Sequence, residues 1–183
     1  MLAEKEKLKT GIYNIDPVHS RVEFEVKHLG ISTFRGSFGV YSGSIEINEE
    51  GNISEVDGKV DIKSISVPEK QLVGHLLPPD FFDADNYPEG SFLSKEITGD
   101  EESLLVKGEL TLRGQTHPVE LEASIEGYGV GMDGSDVLSL RGSGEINRED
   151  YGISWGSTLD SGAAVVAEKV RIVLAVEAVR GNQ

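Results

Sequence analysis

"VEFEVKH", residues 22–28, alternates apolar and charged residues one by one. In an extended chain, Val22, Phe24, Val26 and His28 then share one face, and Glu23, Glu25 and Lys27 share the other. A strand with one dry face and one wet face is the signature of an antiparallel sheet covering a core. The same rhythm returns outward along the chain. Val56, Gly58, Val60 and Ile62 alternate with acids and lysines, Leu104 to Leu112 repeats the pattern, and Val119, Leu121, Ala123 and Ile125 stand against glutamates. A last strand near 169–179 turns Val170, Ile172, Leu174, Val176 and Ala178 to one side, and a glycine-bearing strand runs near 137–146.

Turn signals separate these runs: "NEEGN" at 48–52, "TGDEES" at 98–103, "RGQTHP" at 113–118 and "GMDGSD" at 131–136. The expectation is an all-β chain of about eight strands joined by sequential hairpins. An antiparallel barrel solves the edge-strand problem for that number, and a two-sheet sandwich satisfies the same pattern.

The chain has 183 residues, 38% of them hydrophobic and 27% charged, which suits one well-cored domain over residues 11–180. The charged start, residues 1–10, reads as a flexible segment. No apolar run reaches the roughly 20 residues of a membrane helix, and the start lacks the pattern of a signal peptide. Cytoplasmic placement is therefore expected, with a periplasmic or secreted protein as the alternative had a leader been removed. With no cysteine there is no disulfide or thiolate site. Asp and Glu outnumber Lys and Arg by 32 to 17, and a net charge of −15 disfavours nucleic acid as a partner.

One segment breaks the rhythm, "PEKQLVGHLLPPDFFDADNYPEG" at 68–90. Pro68 opens a short helix with Leu72, Val73, Leu76 and Leu77 on one face, and Pro78 and Pro79 end it. Phe81, Phe82 and Tyr87 then crowd a loop that either plugs the barrel or forms a lid over something apolar.

Asp16, His19 and Ser20 bring an acid, a base and a hydroxyl into five positions. Neighbouring strand residues point to opposite faces, so His19 and Ser20 diverge and form no triad; Asp16 serves a turn. His28, His75 and His117 lack the spacing of a zinc site. "GYGVGMDG" at 127–134 has neither a following helix nor a GK[ST] ending, so it is a hairpin turn and no phosphate loop. Among the inward residues, Gly43, Gly58, Gly108 and Ala123 are small, which either leaves room in the barrel or marks bulges.

Four blocks in order, "IDPVHSRVEFEVKHLGISTFRGSF" at 15–38, "HLLPPDFFDADNYPEGSFLS" at 75–94, "GELTLRGQTHPVELE" at 108–122 and "INREDYGISW" at 146–155, resemble the YceI family. The resemblance implies a lipocalin-like antiparallel β-barrel of bacterial origin. It also implies an internal pocket for polyisoprenoids or related lipids, including isoprenoid quinones. Leu72, Val73 and Pro79 depart from the family's usual residues and make the linking helix more apolar.

On that reading the tunnel is lined by Phe24, Val26, Tyr41, Ile45, Val60, Ile62, Leu110, Leu121, Ile172 and Leu174. The mouth or lid comprises His28, Leu72, Leu76, Phe81, Phe82, Tyr87, Phe92 and Trp155. A long-chain isoprenoid is the expected partner, with no cofactor, no metal and no catalytic group; family members often form homodimers. A neutral quinone, phenol or amide head group suits the few cations on the apolar faces, with Arg35 and Arg141 as the cations for a phosphate. The alternatives are a partner-binding β-domain with a filled core, and a lipid-modifying enzyme using His28 with Tyr87 or Tyr41.

Overall fold

The computed structural model describes residues 6–157, 159–162 and 164–182. Alternation drives more than half of these residues into one antiparallel sheet. Its strands are β1 (Gly11–Ile15), β2 (Arg21–His28), β3 (Ser32–Phe38), β4 (Tyr41–Ile47), β5 (Ile53–Asp61), β6 (Ile65–Ser66), β7 (Glu89–Gly99), β8 (Leu104–Leu112), β9 (Gln115–Val130), β10 (Asp136–Asn147) and β11 (Val166–Arg180). Eight of them close a ring in the order β1-β4-β5-β7-β8-β9-β10-β11 and back to β1. The fold is a closed eight-stranded antiparallel barrel. The other three strands extend from β11 as β2-β3-β6.

β1 and β2 both pair with β11, Ile15 opposite Ala178 and Arg21 opposite Ala175. They act as one long strand broken by the loop at 16–20. Asp16 makes that break, its Oδ1 accepting from the Val18 amide, as an Asx-type turn requires. The Ser20 hydroxyl donates to the Glu177 carbonyl and accepts from the Glu177 amide, so the broken strand stays tied to β11.

The closed end is densely filled. Tyr13, Ile47 and Leu138 are 0–1% exposed and pack with Ile45, Ile53, Leu104 and Ala178. Leu8 joins them, although residues 1–10 read as flexible in the sequence; Lys9 bonds the Asp136 carboxylate at 2.8 Å, and residues 1–5 lie outside the described residues. The hydrogen bond from Lys9 holds the Asp136 carboxyl below the usual carboxylate range against the opposing effect of desolvation.

Two turns differ from expectation. The hairpin between β8 and β9 needs only Arg113 and Gly114, both at positive φ, as in a type I′ turn. The "QTHP" that follows is already strand, with Pro118 opposite Glu109. The helix of the 68–88 segment is one turn, α1 (Val73–Leu76), preceded by a 3-10 turn at Lys70–Leu72. Two prolines directly after it leave no length to propagate.

Candidate functional site

Above the filled floor the inward side chains no longer meet, and the barrel encloses a cavity of about 840 Å³. That is far beyond a packing defect in a close-packed interior and lies within the range of ligand pockets, about 300–1,000 Å³. Phe24, Val26, Tyr41, Ile45, Val60, Leu110, Leu121, Ile172 and Leu174 all line it. Further walls come from Val22, Phe34, Phe38, Val56, Val119, Val170 and Val176, all from strands.

Ile62 does not line the cavity. The strand parity that put it beside Val60 ends at Asp61, whose Oδ1 accepts from the Lys63 amide and caps a 3-10 turn. Ile62 is 2% exposed and packs with Ala84, Leu112 and Tyr151. Among the described residues the Tyr151 hydroxyl has no hydrogen-bond partner, and burial pushes its pKa up to about 12.

The small inward residues divide by surroundings. A Cβ at Gly36 would strike the Phe24 ring, one at Gly108 would strike Phe92 and the Leu93 carbonyl, and one at Gly43 would meet the Asp57 carbonyl and Ile15. Those glycines are covered, and leave no room. Gly58 differs: it lines the cavity, and its nearest neighbour to an added Cβ is the Ser42 carbonyl at 3.8 Å, ordinary contact.

Three segments frame the mouth. The turn between β2 and β3 carries Leu29 and Gly30 at positive φ, and the Leu29 amide donates to the Val165 carbonyl at 2.9 Å. The 68–88 segment contributes Leu72, His75, Leu76, Phe81 and Phe82 to the lining, and the segment after β10 contributes Ile153 and Trp155. Phe81 and Trp155 meet across the opening at 5.4 Å between ring centroids. Phe82 instead points to Phe38, at 6.1 Å edge to face, and packs on the core. The aromatic loop thus both plugs and covers the barrel.

His28 lies at the mouth as its parity predicted. Phe92 lines the cavity from within β7, paired with Gly58 and Leu110, so it is wall and not lid. Tyr87 leaves the cavity altogether. The turn at Asp83, with φ of 50°, sends the chain outward, and Tyr87 borders a small separate depression with Arg113 and Glu149. His28 and Tyr87 therefore do not form a pair. Tyr41 reaches the cavity, but its hydroxyl donates towards the backbone carbonyls of Ser20 and Pro17.

Arg35 and Arg141 are exposed and paired with Glu25 and Glu126, and Arg141 also borders the cavity. The cation the sequence reading missed is Arg148, which lines the cavity and is 5% exposed. It sits in the 3-10 turn Arg148–Tyr151 after β10. Its Nε donates to the Ala167 carbonyl, Nη1 to those of Ile153 and Trp155, and Nη2 to that of Val166, at 2.6–3.2 Å. These bonds fasten the mouth segment to the start of β11. The signal was in the "INREDY" block, but a charge in an apolar wall is not readable from periodicity.

Asp16, His19 and Glu177 gather on the outside of the barrel, with ligand-type atoms all within 4.8 Å of one another. The His19 Nδ1 to Asp16 Oδ2 contact is 2.7 Å. That hydrogen bond raises the histidine pKa, with smaller contributions from the charges of Asp16 and Glu177. Ser20 bonds the backbone of Glu177 instead, so the acid, base and hydroxyl form no catalytic relay.

Residues 13–178 match the model of the YceI-like domain. A UPF0312 protein of Yersinia enterocolitica is 32% identical over 173 residues, covering 93% of this chain and 87% of the relative. A UPF0312 protein of Staphylococcus epidermidis is 29% identical, covering 90% and 95%. Among solved structures, BcnA of Burkholderia cenocepacia superposes with a TM-score of 0.76 at 21% identity, covering 89% of this chain and 98% of that one. The YceI protein of Campylobacter jejuni gives 0.71 at 28%, covering 85% and 90%. A polyisoprenoid binding domain from Saccharophagus degradans gives 0.66 at 14%, covering 94% and 100%. By the extent of the domain match and the identity of these relatives, the chain belongs to the YceI-like domain family.

Proposed function

We propose that this protein binds one long-chain polyisoprenoid or isoprenoid-quinone-type lipid inside the barrel and carries or sequesters it, without chemical turnover. The apolar cavity of about 840 Å³ is the observation that carries this reading. Each methylene moved from water to such a wall contributes about 0.8 kcal/mol, so chain length drives affinity. A ligand of about 40 heavy atoms at about 0.3 kcal/mol per atom reaches about 12 kcal/mol, near nanomolar binding. The structural similarity to a polyisoprenoid binding domain supports the ligand class. Among the described residues, neither His28 nor His75, the histidines of the lining, bonds to a carboxylate, which supports binding over catalysis.

Native mass spectrometry of freshly purified protein, with organic extraction, tests the proposal. One isoprenoid per chain is expected. A mass that stays at the bare chain after incubation with long-chain isoprenoids would turn attention to a partner-binding role for the barrel.

A further inference from the structure

Asp16, His19 and Glu177 take no part in the cavity lining. The chain carries 32 acidic residues and four histidines, yet among the described residues these three form the one set of metal-ligating side chains whose donor atoms all lie within 4.8 Å of one another. The set joins an imidazole to two carboxylates, and its charge is unbalanced. Among the described residues neither carboxylate pairs with a lysine or arginine, and the neighbouring Arg21 pairs with Glu23 instead. With a neutral imidazole the set carries two negative charges, which one divalent cation balances.

We infer that Asp16, His19 and Glu177 bind one first-row divalent metal ion of the zinc class on the outer face of the barrel. The ion takes the place of the proton now held between His19 Nδ1 and Asp16 Oδ2, 2.7 Å apart, and draws in Glu177 Oε1, 3.7 Å from the same nitrogen. Two donor atoms about 2.1 Å from zinc at tetrahedral or octahedral angles lie about 3.0–3.4 Å apart, so shifts of a few tenths of an ångström complete both contacts. The backbone is already in place. The Asp16 amide donates to the Glu177 carbonyl at 2.8 Å, Ser20 bonds both backbone groups of Glu177, and the Tyr41 hydroxyl donates to the carbonyls of Pro17 and Ser20. Only side chains move when the ion arrives, which keeps the ordering cost small. An imidazole ligand favours zinc over magnesium or calcium, which prefer oxygen. Three protein ligands leave a position for water, and side-chain exposures of 23% for Asp16, 61% for His19 and 34% for Glu177 keep the site accessible. The bound ion staples the loop that breaks β1 from β2 onto β11. This goes beyond lipid binding and does not depend on it. It reverses the expectation of a metal-free chain, because histidine spacing does not register a ligand supplied across the sheet by β11.

The test uses the intact, untagged protein after treatment with a chelator. Calorimetric titration with zinc chloride should saturate at one ion per chain, and magnesium chloride should bind far more weakly. In NMR of the imidazole nitrogens, His19 should shift with zinc while His28, His75 and His117 stay in place. Glu177→Gln keeps the side-chain shape and should weaken zinc binding at least about tenfold, the lower bound for disturbing even an outer partner of a metal ligand. His19→Ala should abolish the site. The imidazole readout on the unmutated protein decides the matter even if a variant fails to fold. An unmoved His19 in excess zinc would overturn the inference, as would zinc that moves a different histidine or binds folded His19→Ala at one per chain undiminished. Equal affinity for magnesium and zinc would overturn the assignment of the ion class and reduce the cluster to general attraction of cations.

Discussion

The two ends of the barrel are built from the same strands and do opposite things. At the closed end, Tyr13, Ile47, Leu138 and Ala178 meet with 0–1% exposure, and Asp136 ties the N-terminal segment to the last strand through Lys9 at 2.8 Å and Arg180 at 3.5 Å. At the open end, Leu72, Trp155 and Leu159 are 37–42% exposed and Ile31 is 81% exposed, around a cavity that the walls do not fill. Alternation alone produces both. What separates them is whether inward side chains from opposite walls touch, so stability concentrates at the floor and ligand contact at the mouth.

The largest effect should come from breaking the floor. Leu138→Ala leaves a hole where nothing can collapse and should cost about 2–5 kcal/mol in urea unfolding. Its effect on ligand affinity, measured where the protein remains folded, should be small.

Gly58→Leu sharpens the same contrast from the other side. It fills cavity space without touching the floor, so affinity for long isoprenoids should fall by about 1.5–3 kcal/mol, roughly ten- to a hundredfold, while thermal stability holds. Gly108→Ala makes the control, since its Cβ would collide with Phe92 and the Leu93 carbonyl. That overpacking should cost about 1–3 kcal/mol of stability, read by the same urea titration.

At the rim, Trp155→Ala removes the Phe81 contact and should lower stability by only about 1 kcal/mol. Stopped-flow measurements should find ligand release accelerated. The smallest effect belongs to His19, exposed on the outside of the barrel. Its pKa is raised in the folded state by the Asp16 hydrogen bond. The stabilisation is therefore complete below the unfolded value of 6.5 and is lost as pH rises through the higher folded value. The difference in Tm between the unmutated protein and His19→Gln should shrink as pH rises from below 6.5 through the raised folded value.

The walls were legible in the sequence because period two assigns a face without knowledge of partners; Phe24, Val26, Leu110, Leu121, Ile172 and Leu174 all point where their parity placed them. Parity failed where the backbone left the strand, at Ile62 after the Asp61 cap, and the loop aromatic Tyr87, which no periodicity placed, is carried outward by the Asp83 turn. It also could not say which inward glycine faces open space. Phe92 covers Gly108 from the neighbouring strand, a matter of register that only the folded sheet decides. Arg148 was hidden for a related reason: its partners are backbone carbonyls, which leave no mark in the order of side chains.

Methyl NMR during a titration with geranylgeraniol tests the division between floor and cavity most directly. Resonances of Val26, Leu110, Leu121, Ile172 and Leu174 should shift and saturate at one ligand per chain, while those of Ile47 and Leu138 stay in place. Shifts confined to exposed methyls such as Val18 and Val130, or none at all, would contradict an internal binding site.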